Sequence, residues 1–511
     1  MNRGRFKKCP LGVLLFIGVA ATYLLFGAGK INSSDALRMF HVTQSLVENR
    51  TAEIPSEHVD STSVQGVDGK YYSNYGILKS IANVPAYVVG DWASRSLPQL
   101  PREGVVQFFV SQINPLISAG VVAALYGVCC FLGFTERQSV WISLLYGFAS
   151  IAFPYAKDDM SEPLATWLLL LGLHAALRLE KHGLTRDAVA SALCLGLAVA
   201  TRYVLAIAPA ILGAGLLWSA YRNRRPSLVD LCWFFGILGA IAGLLGWFNM
   251  IRFGSFADTG YNKFLGGESG FRFGELNRLV RAVVAQVISP GRGVLVYMPY
   301  LVIVPVGFGP VLKRNGFAAW MLLILFLANL GVVSGFKQFH GAWSWGPRLL
   351  LPFLPFLFPF FGAAFLRLRD GGVAQRLVLL GCLVAFLTNS SAVVVTWQRY
   401  MTEVSIDRAA GKRRDTLWSF QESQIANQPR SVIEVLSLSE TRRKELSNGQ
   451  KDPKEAFERS RTLNLPNLWW VRLVAEGVPP TRVHAVTTLL LLIGVASALG
   501  VVRRTSAGPA T

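Results

Sequence analysis

Apolar runs of about 20 residues recur along this 511-residue chain, and they restrict its fold more than any other feature. Each run is long enough to cross a bilayer as a helix, where the backbone must satisfy its own hydrogen bonds. Window hydropathy gives about twelve spans, near 10–29, 105–133, 137–155, 161–178, 187–201, 203–220, 228–250, 293–311, 317–335, 348–366, 376–396 and 482–502. With 52% hydrophobic and only 16% charged residues, one or two soluble cores could not hide this much apolar surface. The pattern predicts an all-α polytopic membrane protein with about 12 transmembrane helices and extracytoplasmic loops that form a mixed cap.

A formal charge of +20 suggests nucleic acid, but the basic residues sit in short clusters between apolar runs. No basic helix or nucleic-acid motif accompanies them, so orientation and anionic lipid account for the charge. "NRGRFKK", "RLEKHGLTR", "YRNRR", "LKRNG", "RLRDGGVAQR" and "VVRR" fall on one side under this span count. The positive-inside bias then places both termini in the cytoplasm of a multi-pass protein of the cell (inner) membrane. The first helix reads as uncleaved, since its apolar core is long and lacks a small-residue cleavage site. The outer face receives the loops 30–104 and 251–292 and the charged region 397–481. The chain thus divides into a transmembrane catalytic module (1–396), an extracytoplasmic C-terminal region (397–481) and a last span with a cytoplasmic tail (482–511). Within the first loop, "YGILKSIANVPAYVVGDWASR" carries Lys79, Asn83 and Pro85 and is too broken to span; it reads as a helix lying on the outer leaflet. The six cysteines avoid the long polar loops, which leaves no disulfide framework and no zinc spacing there.

Ionisable residues gather where spans meet the outer face. "YAKDDMSEPLATW" brings Asp158, Asp159 and Glu162 to a helix start, with Ser161 as a cap and Pro163 in the first turn. If the helix extends back, Asp158 and Glu162 share a face and could hold Mg²⁺ or Mn²⁺; the plain alternative is a solvated cap. Asp35 in "SSDALRMF" is a second interfacial acid, where partial burial would raise its proton affinity and suit a general base, unless it is merely an N-cap. Arg202, Arg292 and Arg348, with Lys337, are candidate clamps for a donor phosphate, or else snorkel to headgroups. In "KQFHGAWSWGPRLLLPFLPF", His340, Trp343 and Trp345 could contact a sugar ring, or the indoles belong to the aromatic belt. "DGKYYSNYG" adds Asp68, Tyr72 and Tyr75 as groups fit for a hydroxyl-rich ligand.

In this order, "SSDALRM", "DGKYYSNYGILKSIANVPAYVVG", "YAKDDMSEPLA", "LGLAVATRYVL", "SPGRGVLVYMPY" and "WSWGPRLLLPFLP" resemble the GT-C superfamily of polytopic glycosyltransferases, particularly bacterial relatives of the protein mannosyltransferases. The resemblance covers roughly residues 10–366. It implies a polyprenyl-phosphate-linked sugar donor, a glycan, lipid or protein acceptor, and a catalytic acid at Asp35. Many members place a second acid directly after the first, whereas Ala36 stands here. Further acids in the second outer loop match Asp158, Asp159 and Glu162. A phosphate leaving group needs no general acid, so a single base and direct displacement would invert the anomeric centre. The alternative class is a transporter or flippase of lipid-linked sugars without catalysis, which predicts internal repeats that this chain does not show.

Overall fold

The computed structural model describes residues 10–506 apart from 61–62, 265–269 and 446–456. "NRGRFKK", Cys9 and residues 507–511 lie outside the described residues. The chain is nearly all helix, with one small antiparallel ribbon of β1 (Val64–Gln65) and β2 (Tyr71–Tyr72). Among the described residues, seven helices are long and apolar enough to cross a membrane: Arg102–Phe131, Tyr203–Asn223, Leu228–Phe253, Gly316–Gly335, Arg348–Phe365, Val373–Val394 and Pro480–Ser506. A shorter apolar helix, α1 (Pro10–Leu25), joins them. The four other runs read from the sequence are helical too, but two of them are broken, 137–155 parting between Glu136–Phe148 and Ala152–Tyr155. Residues 293–311 form Val294–Tyr297, a 3₁₀ turn Pro299–Ile303 and Val304–Arg314. Pro299 explains the break, because the residue before a proline is pushed out of the helical region, and Met298 sits at φ −143°, ψ 67°.

Which way the apolar surface points identifies the solvent. Leu228–Phe253 exposes Trp233, Leu244 and Trp247, Val373–Val394 exposes Leu377, Leu380 and Leu383, and Pro480–Ser506 exposes Leu489, Leu492 and Val495. Faces this large and apolar require lipid, so the molecule is a membrane protein. The interior helices differ. Residues 113–131 pack on α1 and on Glu162–His182, which in turn packs on Thr185–Thr201 and on the segment starting at Arg348. That segment, Arg348–Leu357, is a buried 3₁₀ helix. Pro352 and Pro355 remove backbone donors three residues apart, which matches the three-residue turn of a 3₁₀ helix better than an α-helix.

Beside this bundle, α2 (Ser34–Glu48), α3 (Leu78–Arg95) and Arg102–Ser111 close a second core around Met39, Phe40, Tyr87 and Val110. The segment read as an interfacial helix is α3. Its Ile81, Val88, Val89 and Trp92 are exposed at helical spacing, whereas Lys79, Ser80 and Asn83 are buried. A helix with its apolar side outward and its polar side inward suits a lipid surface.

Candidate functional site

Four ionisable residues from distant stretches meet at one wall. Arg348 Nη2 donates to Asp35 Oδ2 at 2.6 Å, and its Nε lies 2.8 Å from Glu162 Oε1. Arg202 Nη1 lies 2.6 Å from the same Glu162 oxygen and 3.3 Å from Ser161 Oγ. Local sequence places each group. Ser33, not Asp35, caps α2: its side chain accepts from the Ala36 N–H at 3.1 Å, which leaves the Asp35 carboxylate in the first turn, free to face the cavity. Glu162 opens the helix Glu162–His182, with Pro163 in its first turn. Arg202 ends Thr185–Thr201 in extended backbone, and Arg348 opens the proline-rich 3₁₀ segment. Gly76 packs directly on the carbonyl of Ala200, so a side chain there would clash, and this docks Tyr75 beside Arg202.

The wall belongs to a cavity of about 470 Å³ lined by Asp35, Arg38, Tyr75, Arg202, Trp343 and Arg348, among others. A second cavity of about 430 Å³ shares Tyr75, Arg202, Tyr261, Phe336 and Leu349 with it and is otherwise lined mostly by apolar groups such as Val204, Leu205, Phe271 and Val333, with Asn74, Thr259 and Asn329 as polar exceptions. The ionic wall therefore stands where an apolar chamber meets a polar one. At that junction three guanidinium groups, of Arg38, Arg202 and Arg348, face two carboxylates, of Asp35 and Glu162. The excess is positive.

The acids behave differently from the expectation of a raised Asp35. Burial pushes the Asp35 carboxyl up, but the charge and hydrogen bond of Arg348, a hydrogen bond from Tyr75 and the charge of Arg38 outweigh it and hold the pKa below the usual range. Burial raises the proton affinity of both Asp158 and Asp159; for Asp158 the pKa reaches about 7, through burial first and then the charges of Asp159, Glu162 and Asp35, partly opposed by Arg348. Neither of its carboxylate oxygens has a hydrogen-bond partner among the described residues.

The turn that carries these acids is tied from several sides. Asn114 Nδ2 donates to the carbonyls of Asp158 at 2.5 Å and Met160 at 2.7 Å. Lys157 Nζ donates to the carbonyls of Val393, at 2.6 Å, and Asn467. Asp159 pairs with Lys79 and accepts from Asn83 Nδ2 at 2.8 Å. Asp158 and Asp159 lie before the helix rather than on it, so the shared helical face expected for Asp158 and Glu162 does not form. Nor does Ser161 make a capping hydrogen bond. As metal ligands the pair fits poorly. Glu162 is occupied by two guanidinium groups, Asp159 by an ammonium, and no group of three His, Cys, Asp or Glu side chains suited to a metal occurs among the described residues.

Other expected site residues separate. Arg292 is buried but is directed at carbonyls: Nη1 donates to Ser344 O at 2.7 Å and to Gln424 Oε1 at 2.8 Å, Nη2 to Ala342 O at 2.8 Å. It is a clasp and not part of the cavity wall. Trp345 is fully buried, its indole N–H on Asn389 Oδ1 at 3.0 Å and its ring edge-on to Tyr297, so it has no face for a sugar. Asp68 and Tyr72 bond to each other at 2.6 Å in the turn beside β2, away from the cavity. His340 accepts from the Ala342 N–H at 3.1 Å, and Lys337 sits between Phe336 and Gln338, which line the cavity while it does not. Tyr75 and Trp343 do line it. The sequence reading passed over Arg38 and Tyr261 as wall residues, and it read Lys79 and Asn83 only as interruptions of an apolar run. Their i, i+4 spacing on one side of a helix was the available signal.

No family model matches the chain, and no curated protein sequence does. Among solved structures it is similar to the crystal structure of ArnT from Cupriavidus metallidurans in the apo state, with TM-score 0.50 and 14% identity over 91% of this chain and 88% of that one. It is equally similar to ArnT from Cupriavidus metallidurans bound to undecaprenyl phosphate, with TM-score 0.50 and 14% identity over 89% of this chain and 85% of that one. At such identity the likeness speaks for the fold alone: the chain shares the overall helical fold of ArnT.

Proposed function

We propose that this protein is a membrane glycosyltransferase that moves a sugar from a polyprenyl-phosphate donor to an acceptor hydroxyl on the extracytoplasmic side, with both termini in the cytoplasm. The observation that carries the reading is the ionic wall at the junction of an apolar and a polar chamber. A prenyl chain suits the apolar chamber, and its phosphate would then meet Arg202 and Arg348. Guanidinium forks match phosphate oxygens and stabilise the charge that develops as the phosphate leaves. The undecaprenyl phosphate bound to the similar ArnT structure is a ligand of that chemistry.

In the proposed step the acceptor oxygen bonds to the anomeric carbon as the bond from that carbon to the phosphate oxygen breaks. The electron pair leaves with the phosphate, and the hydroxyl proton passes to Asp35. A weak base suffices, because the hydroxyl becomes strongly acidic as it bonds to an oxocarbenium-like carbon. Direct displacement inverts the centre. We assign charge neutralisation to Arg202 and Arg348 rather than to Mg²⁺ or Mn²⁺, because Glu162 is already committed to those arginines.

The test is to incubate the purified protein in lipid nanodiscs with a panel of radiolabelled polyprenyl-phosphate hexoses and pentoses. Release of free lipid phosphate from one of them is expected. Movement of intact donor between leaflets of a vesicle, with no release, would identify a flippase instead.

A further inference from the structure

We propose that the acceptor is a carbohydrate, one ring of which lies on the indole of Trp343, and that Arg292 is the positioning residue that holds this indole in place. The inference rests on the glycosyltransferase reading and names the acceptor class that reading leaves open.

Two adjacent tryptophans have opposite environments. Trp345 is sealed in the core with its N–H bonded. Trp343 is 46% exposed on the cavity rim, and among the described residues its indole has neither a ring partner nor a hydrogen bond. That leaves a large flat apolar face open beside a polar chamber, where the ring of a ligand can stack on it.

The backbone beneath Trp343 is strained in a way that fixes its position. Gly341 and Ala342 both lie in the left-handed region, at φ 70° and φ 50°. For alanine that conformation is unfavourable and persists only where surrounding contacts impose it. Arg292 supplies them: its guanidinium takes the carbonyls of Ala342 and Ser344, on either side of Trp343, while also holding Gln424 from the outer C-terminal region. Gly291 next to it packs directly on the backbone of Thr416 and Leu417, which ties the Arg292 segment to the C-terminal region a second time. The turn is thus clamped from below with its indole directed to the cavity.

The rest of the polar chamber selects the ligand class. Besides the ionic wall its polar lining is neutral: Asn32 and Ser33 before α2, Ser34 at its start, then Gln338, Gln398 and Thr402. Gln398 donates to Asn32 O at 3.0 Å, and this fixes the wall between the first loop and the C-terminal region. Amides and hydroxyls around one open aromatic face match the alternating hydroxyls and C–H face of a sugar ring. These side chains carry no charge, so this part of the lining offers hydrogen bonds rather than ion pairs to a ligand. Catalysis then joins the donor sugar carbon to an oxygen of the acceptor sugar, with the proton going to Asp35 and the electron pair to the departing phosphate.

The experiment uses full-length protein in nanodiscs, the radiolabelled donor it cleaves, and two acceptor sets: octyl glycosides of common hexoses and short Ser/Thr peptides. At least one glycoside is expected to accept the label and the peptides are not. For the accepted glycoside, Trp343→Ala should raise the acceptor KM about tenfold, with a much smaller change in kcat. Trp343→Phe keeps an aromatic face and should stay within about threefold of wild type. Arg292→Lys keeps the charge but loses the fork, and should raise the acceptor KM by an intermediate factor while the thermal transition confirms folding. Donor cleavage with peptides as the better acceptor, or an unchanged acceptor KM in Trp343→Ala, overturns the inference and leaves the glycosyltransferase reading standing. No donor cleavage by wild type, with any sugar, overturns both.

Discussion

Arg348 and Arg292 begin as equals. Each is buried, follows a Gly–Pro or Pro–Gly step near the outer end of an apolar run, and reads in the sequence as a phosphate clamp. In the fold they face different partners. Arg348 meets two carboxylates at the junction of the two chambers, and Arg292 meets the carbonyls of Ala342 and Ser344 with the amide of Gln424. A guanidinium beside carboxylates keeps a full charge next to a cavity where an anion can displace or join them. A guanidinium saturated by carbonyls is a structural cross-link. The region around the wall is thus suited to chemistry and the region around the clasp to shape, and partner identity separates them.

That contrast can be broken or sharpened. Arg348→Ala removes the cation that pairs with both Asp35 and Glu162 and should lower lipid-phosphate release about 10²–10³-fold, measured at saturating donor. A loss no larger than that of Arg292→Lys would erase the difference between the two regions. Glu162→Gln leaves Arg202 and Arg348 without their shared carboxylate in a buried site, and a stability loss of about 3–5 kcal/mol should follow in thermal or denaturant unfolding. Asp158 gives a pH signature with a definite sign. Its folded pKa of about 7 lies above the ordinary value of 3.8, so the native state holds a proton that the unfolded chain loses. This contribution to stability is complete below about pH 4 and is lost as pH rises through 7. Asp158→Asn should therefore gain in melting temperature relative to wild type between pH 5 and pH 8; a constant difference would contradict the buried, unpartnered carboxyl. The smallest effect is expected from EDTA, which should change the rate by less than about twofold if guanidinium groups rather than a metal neutralise the phosphate. A large loss restored by Mg²⁺ or Mn²⁺ would return the acids to a ligand role.

Much of the fold was legible because lipid imposes a coarse rule. Runs near 20 apolar residues became helices, the break at Pro299 follows from proline chemistry, and the segment interrupted by Lys79 and Asn83 became α3, a helix that buries those two residues and exposes its apolar side. Of the site, Asp35, Glu162, Arg202 and Arg348 could be singled out because ionisable groups at the ends of apolar runs are costly without partners. What could not be read is which partner each would find. Trp343 and Trp345 differ by two positions and one turn of strained backbone, and only the fold shows that one is open and the other sealed. Asp35 lacks the raised proton affinity expected of it for a similar reason: its pairing with Arg348 is a tertiary contact between residues 313 apart in sequence.

The central claim is that the carboxylate after α1, brought against Arg348, takes the acceptor's proton during sugar transfer. Its most direct test is the rate of lipid-phosphate release by Asp35→Asn under saturating donor and acceptor, with folding verified by an unchanged gel-filtration profile. The account predicts a fall of at least about 10²-fold. A variant that keeps more than about a tenth of the wild-type rate would contradict it.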